Sequence, residues 1–336
     1  MYPKSTAARR GMLNLLLAAA GVAHAAGAIA QTSTDAKESK ESKDPPWLIV
    51  PFGPGTPLDV IARDIAHEMR PILGQNVMVE NRPGAAGMIG GSQLARTAAP
   101  ANTFMLTTHN TIVINPHLYR KMTYDPLKDF APIGLVGVGG YVLVTGPGSP
   151  YHNLEQYLAA ARAKPGQVSF GSLGIGSGPH LCGEKLVAQT RVKMVHVPYI
   201  TGSITNVVGG HVDSSWEPYA TAAPYLKSGK LVALGASTPY RPGIFPPNVP
   251  LLPESLQGYE CNSWIGMFAS ARAPEAAVNR MADALARVVQ SPSFQERLAI
   301  NGFLPRAGSP KDLRELVAED YRSWSKVVRD AGIELE

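Results

Sequence analysis

The chain has 336 residues, enough for two ordinary domains, and at 45% hydrophobic and 17% charged it has the composition of a packed protein rather than a disordered one. Its net charge of +5 comes partly from Lys4, Arg9 and Arg10; past residue 30 the chain carries 28 basic and 26 acidic side chains, a net of +2. No basic stripe with interleaved aromatics runs through it, which argues against nucleic acid as a partner.

Residues 1–30 read as an export signal. Arg9-Arg10 precede an apolar run over 12–20, and small residues follow to Ala28-Ile29-Ala30, an A-x-A site that predicts cleavage near Ala30 and a periplasmic mature chain. The apolar run is too short for a comfortable membrane span. Arg9-Arg10 also fits a twin-Arg signal weakly, so the choice between that route and ordinary Sec export stays open. In an oxidising compartment the two cysteines, Cys182 and Cys261, can pair, but their spacing does not decide it. Residues 31–46 are polar and end in Pro-Pro, as expected of a disordered linker.

The folded part begins with an apolar strand at 47–50, a Gly/Pro loop at 51–56 and an amphipathic helix from Pro57 to about Leu73. Thr56 is placed to cap that helix, Pro57 suits its first position, and Asp59 falls where a capping box has its acid. A strand–glycine loop–helix junction presents backbone N–H groups and the positive end of a helix dipole to one point, an anion site without a basic side chain. The same residues also suit an ordinary strand-to-helix turn.

A strand at 76–80, a Gly/Ala-rich helix at 85–98, a strand at 103–107 and a short helix at 112–119 complete a β-α-β-α-β alternation, the pattern of a parallel sheet covered on both faces. Two apolar runs, 131–136 and 141–144, are separated by glycines. A second alternation follows: helix 154–163 capped by Asn153, strand 168–171, a helix from Gly178 to about Thr190, strand 194–198, helix 204–208, strand 212–216, helix 220–227 and strand 231–237. After an irregular Pro/Gly-rich stretch come a strand at 263–268 and helices at 274–290, 292–300 and 310–330, with Ser291 and Ser309 as N-caps ahead of proline. Two α/β units are expected. Residues 47–145 plus 262–336 form the first lobe and 146–261 the second, with a hinge where the chain crosses and a ligand between them.

Three loops sit at strand carboxyl ends, where open α/β sheets bind ligands: 51–59, 107–111 and 172–181. Enzyme motifs do not fit them. Ser172 and Ser177 lack the first glycine of G-x-S-x-G, where Phe170 and Ile175 stand, and 171–178 is not followed by Gly-Lys-Ser/Thr. Gly84-Ala85-Ala86-Gly87 lacks the G-x-G start of a dinucleotide fingerprint, and the scattered histidines form no metal-ligand pair. No catalytic residue, metal or cofactor is expected.

Several stretches together resemble the substrate-binding receptors of tripartite tricarboxylate transporters, the Bug-type periplasmic solute-binding proteins. They are P-F-G-P-G-T-P-L-D at 51–59, V-E-N-R-P-G-A at 79–85, I-N-P-H-L-Y at 114–119, Y-D-P-L-K-D-F-A-P at 124–132, G-S-G-P-H-L at 176–181, V-H-V-P-Y at 195–199, G-G-H-V-D at 209–213 and W-S-K-V-V at 324–328. The resemblance implies a two-lobed periplasmic-binding-protein-like (Venus flytrap) α/β fold, each lobe a mostly parallel sheet flanked by helices. It implies a small organic carboxylate as ligand, held mainly by backbone amides and water. Carried onto this chain, the binding loops are those of Phe52, Gly55, Thr56 and Leu58, of Thr108, His109 and Asn110, and of Ser172, Gly174, Gly176, Ser177 and His180, with Tyr199, Trp216 and Glu217 completing the cleft. Thr56 stands where the family often has glycine, and Glu217 would repel a second ligand carboxylate. The implied partners of this monomer are transporter subunits in the membrane or, as an alternative, the ectodomain of a sensor. A hydrolase using the same cleft is the rival from another class.

Overall fold

The computed structural model describes residues 44–199, 201–241 and 243–335. The export signal and nearly all of the expected linker lie outside the described residues. The first half of the chain runs β1 (Trp47–Val50), α1 (Pro57–Leu73), β2 (Met78–Asn81), α2 (Met88–Arg96), β3 (Thr103–Thr108), α3 (Asn115–Leu118), α4 (Pro126–Asp129) and β4 (Phe130–Thr145). Then follow α5 (Leu154–Ala163), β5 (Ser169–Ser172), α6 (Gly178–Thr190), β6 (Val195–Pro198), α7 (Ser203–Val208), β7 (Ser214–Pro218), α8 (Tyr219–Lys227), β8 (Val232–Ala236) and α9 (Leu252–Ser255). The chain closes with β9 (Asn262–Ser270), α10 (Glu275–Gln290), α11 (Pro292–Ile300), β10 (Leu304–Gly308) and α12 (Pro310–Ala331).

Local chemistry accounts for most of these elements. Helix α1 buries Leu58, Ile61, Ala62, Ile65, Ala66 and Met69, a stripe at the helical period, against the first sheet. Asn153 caps α5 by accepting the Gln156 N–H at 2.9 Å, and Ser309 and Asp312 form a reciprocal capping box at the start of α12. Thr56 and Ser291 occupy N-cap positions without a side-chain cap bond. The expected helix at 85–98 is split. Ala85 and Ala86 both have positive φ, so a tight turn precedes α2. The expected 112–119 helix is a π-type turn, Asn110–Ile114, followed by the short α3.

The sheets are mixed. In the first, β2-β1-β3 are parallel, and β3-β9, β9-β4 and β4-β10 are antiparallel. In the second, β6-β5-β7 are parallel and β4 pairs antiparallel with β7 and β8. Thus the two apolar runs expected on either side of residues 137–140 are one continuous strand. Strand β4 pairs with β9 as far as Gly140↔Asn262, and from Tyr141 onward with Pro218 of β7. Strand β10 escaped the sequence reading because a proline and an arginine interrupt its short apolar pattern. The result is the expected two-lobed α/β architecture, with β4 running from one sheet into the other.

The two crossings are tied by one buried side chain. Ser237 Oγ accepts the Tyr141 N–H at 2.9 Å and donates to the Cys261 carbonyl at 2.6 Å. Its backbone bonds both neighbours as well, accepting from Cys261 N–H and donating to Tyr141 O. Beside it Cys182 of α6 and Cys261 form a disulfide with Cα atoms 5.7 Å apart, which answers the question the spacing left open. Helix α12 packs on β4, on the 110–114 turn and on α6, so the chain's last helix touches elements of both sheets.

Candidate functional site

The carboxyl ends of β1, β3, β5 and β7 converge on a cavity of about 340 Å³. Phe52 enters from the loop after β1, and Thr108 and Asn110 from the end of β3. Asn115, Leu118 and Tyr119 come from α3 and its end, Leu173 and Ile175 to Ser177 from the loop after β5, and Pro218 from the end of β7. Tyr141, at the crossing, closes one side. Gly178 and Pro179, the first two residues of α6, also line it, so the positive end of that thirteen-residue helix faces the cavity. The Asn110 amide reaches across to the Gly176 carbonyl at 3.5 Å, a long contact between the loop after β3 and the loop after β5. The position of Gly178 admits no larger residue without movement, since a Cβ there would lie 2.1 Å from the Tyr141 hydroxyl.

The loop after β5 is braced from beneath. The Ser172 hydroxyl lies 2.6 Å from His196 Nε2, and the His180 ring stacks on His196 with centroids 3.7 Å apart. Gly176 N–H donates to His180 Nδ1 at 3.0 Å, which leaves the His180 proton on Nε2, 3.4 Å from Glu184. Ser177 Oγ donates to the Gly174 carbonyl at 2.7 Å and accepts the His180 N–H at 3.3 Å. Burial, and then the neighbouring His180, hold the His196 pKa down to about 3, so the His196 ring is neutral at pH 7. The Ser172–His196 spacing is that of a nucleophile and base. Ser172, however, is fully buried and does not line the cavity, so the pair acts as a strut.

The loop after β1 is held by Asp59, which is almost fully buried. Its carboxylate accepts the Gly55 N–H at 2.9 Å, the Asn81 amide at 2.8 Å and the Arg63 guanidinium at 3.0–3.1 Å. Asn81 also donates to the Phe52 carbonyl at 3.1 Å. Burial alone would raise the Asp59 carboxyl, but Arg63, the Gly55 N–H and Asn81 outweigh it and hold it below its ordinary range. The expected capping box therefore does not form here. Asp59 reaches past the N-cap to residue 55, and the Thr56 hydroxyl turns to the Gly53 carbonyl.

Of the residues expected to bind, Phe52, Thr108, Asn110, Gly176 and Ser177 are brought together on the cavity wall. Gly55 and Thr56 shape the first loop, with their N–H and hydroxyl engaged as above. Leu58 is in the core under α1. Gly174 and His180 belong to the brace beneath the loop after β5, and the Tyr199 N–H bonds the Ser172 carbonyl at 3.0 Å. His109 is buried among Tyr141, Trp264 and Trp324; its Nδ1 lies 3.3 Å from Ser263 Oγ and its Nε2 has no partner. Burial holds its pKa down to about 3. Trp216 is a core residue stacked on Tyr259. Glu217 is fully buried; one oxygen accepts from Ser215 at 2.6 Å and the other has no partner, and burial raises its pKa against the Ser203 and Ser215 hydroxyls.

The wall residues not singled out from sequence include Asn115, Leu118, Tyr119, Tyr141, Leu173, Ile175 and Pro218. Several were within reach of the available signals. Asn115 to Tyr119 lie in the I-N-P-H-L-Y stretch, and Leu173 and Ile175 alternate with named loop residues. A larger groove of about 670 Å³ runs between α6 and α12 and carries Lys185, Arg322 and Lys326. It is a surface channel between helices, with no strand end or helix start opening into it. Among the described residues no group of three or more His, Cys, Asp or Glu is placed to hold a metal.

The family model of the tripartite tricarboxylate transporter family receptor matches residues 61–333. Protein BugT of Bordetella pertussis (strain Tohama I) is 31% identical over 327 residues, covering 96% of this chain and 98% of its own. The solved structure of the periplasmic binding protein BugD superposes with a TM-score of 0.74 at 30% identity, over 87% of this chain and 99% of that one. That of R. palustris Rpa4515 with adipate superposes with a TM-score of 0.77 at 28% identity, over 87% and 99%. With the fold and nearly the full length in common, the chain belongs to the tripartite tricarboxylate transporter receptor family, a class of solute-binding receptors.

Proposed function

We propose that this receptor works in the periplasm, captures a small organic carboxylate in the cavity at the strand ends, and hands it to membrane subunits of a tripartite transporter. The observation that carries the reading is the convergence of loops from both sheets, together with the start of α6, on one cavity. Such a site meets a carboxylate with backbone N–H groups and a helix dipole. The adipate held by the relative of similar fold is a ligand of that chemistry. Of the residues proposed as contacts, Phe52, Thr108, Asn110, Gly176 and Ser177 act directly. Gly55, Thr56, Leu58, His109, Ser172, Gly174, His180, Tyr199, Trp216 and Glu217 act by holding the walls in place.

The lobes, residues 47–145 plus 262–336 and residues 146–261, would close on the ligand about the crossings at Tyr141 and Cys261. The change of partner along β4 and the Ser237 tie between the crossings support that hinge. No catalysis is part of this reading, because the Ser172–His196 pair is sealed from the cavity. Small-angle scattering tests it: saturating carboxylate should shrink the radius of gyration, and an unchanged profile at proven saturation refutes closure.

A further inference from the structure

We propose that the ligand is a monocarboxylate with an apolar body, an aromatic or branched aliphatic acid, in preference to a di- or tricarboxylate. The inference rests on the carboxylate reading above and narrows it to a chemical class.

Two independent features of the cavity point there. First, no described residue on its wall carries a charged side chain. Its polar groups are neutral, and several are already engaged. Asn115 donates to the Ala86 carbonyl at 2.9 Å, Ser177 Oγ to the Gly174 carbonyl at 2.7 Å, and Asn110 contacts the Gly176 carbonyl. One carboxylate can be met at the start of α6. A second, fixed across the cavity, would lose its water without gaining a countercharge, and an unpaired buried charge is expensive.

Second, the loop after β5 leaves large apolar side chains partly exposed on the wall. Ile175 is 54% exposed and Leu173 39% exposed, both on the wall and facing the same space as Phe52 and Leu118. Exposed apolar clusters at the mouth of a cleft mark surface that a partner covers. The apolar body of a ligand covers it here, with the carboxylate turned toward α6. The size agrees: 340 Å³ is room for about eleven waters at roughly 30 Å³ each, hence a ligand of about ten heavy atoms.

Calorimetry on the purified receptor with three probes of nearly equal size tests the proposal: 3-phenylpropanoate, its neutral amide, and adipate. The expected order is 3-phenylpropanoate at least tenfold tighter than adipate, with the amide weaker than the acid by a hundredfold or more. Adipate binding as tightly as 3-phenylpropanoate, or tighter, overturns the inference and leaves the carboxylate reading standing. Binding of neither acid, or equal binding of acid and amide, overturns the carboxylate reading itself. Ile175→Ser should weaken 3-phenylpropanoate about tenfold through lost apolar contact while leaving the melting temperature unchanged. Ile175→Arg, which supplies a countercharge, should narrow or reverse the preference over adipate. Unaltered affinities in both variants would show that the apolar rim takes no part and would overturn the proposal.

Discussion

Replacing Asp59 by Ala probes how the first binding loop is held. The carboxylate gathers the Gly55 N–H, the Asn81 amide and Arg63, and it is 3% exposed. Charge-assisted hydrogen bonds contribute on the order of 1.5–3 kcal/mol each, so the two to Gly55 and Asn81 together suggest about 3–6 kcal/mol. Arg63 is more than half exposed and adds at most about 1 kcal/mol. Loop relaxation lets water reach the freed donors, which favours the lower end, about 3 kcal/mol. Affinity should also fall. Asn81 ties the Phe52 carbonyl to the same carboxylate, and re-ordering one or two loop residues on binding costs about 1–2 kcal/mol each, a loss of about fivefold or more. Urea unfolding gives the first quantity and calorimetry with a bound carboxylate the second. Asn81→Ala, which keeps Asp59 bonded to Gly55, serves as a milder control if Asp59→Ala does not fold. Stability within 1 kcal/mol of wild type together with unchanged affinity would refute the account of this loop.

Three further outcomes follow from the same geometry. Gly178→Ala places a Cβ against the Tyr141 hydroxyl, and overpacking there should cost about 1–3 kcal/mol of stability and weaken binding, read by melting temperature and calorimetry; a neutral result would mean that Tyr141 moves freely. Removing the disulfide with Cys182→Ala and Cys261→Ala opens a loop of 79 residues, and chain entropy sets the loss at up to about 4.5 kcal/mol in urea unfolding; a loss below 1 kcal/mol would show that the bridge does not constrain the unfolded chain. The pH dependence has a definite sign. His109 and His196 are held to about 3, mainly by burial, so between there and 6.5 the unfolded chain binds two protons that the native state does not. Asp320, raised to about 6 chiefly by burial against the Trp264 indole N–H, works the other way, as its stabilising proton is lost on going up through that value. From pH 4 to 6 these three groups leave one net proton and contribute a rise in stability of about 1.4 kcal/mol per pH unit, which the raised Glu217 carboxyl opposes. Asp320→Asn should steepen that slope and His196→Gln flatten it; a slope that ignores both substitutions contradicts the assignment.

How much was legible in the sequence depended on range. Helices written by local chemistry, such as α1, α5 and α10 to α12, were readable because their caps, prolines and apolar stripes lie within a few residues. The turn at Ala85-Ala86 was not, because alanine gives no hint of positive φ; the distant Asn115 amide, which donates to the Ala86 carbonyl at 2.9 Å, helps hold it. Nor did local pattern show that β4 is one strand shared by two sheets, since its glycines look like a break. They are needed instead where other segments press close, as at Gly140 beside Tyr219 and Thr238. Within the site, loop positions were legible from strand ends and from the family resemblance. Which residue of each loop faces the cavity was not. His109 and Glu217 look like ligand groups in sequence but are turned into the protein, and Tyr141 looks like a core strand residue but stands on the wall.

A crystal structure of the receptor with 3-phenylpropanoate, or with adipate if that proves tighter, tests the central claim most directly. The account predicts the carboxylate at the start of α6, within hydrogen-bonding distance of the Gly178 N–H, between the loops of Thr108–Asn110 and Leu173–Ser177. Ligand density instead in the groove of Lys185, Arg322 and Lys326 between α6 and α12, with the cavity at the strand ends unfilled, would contradict it.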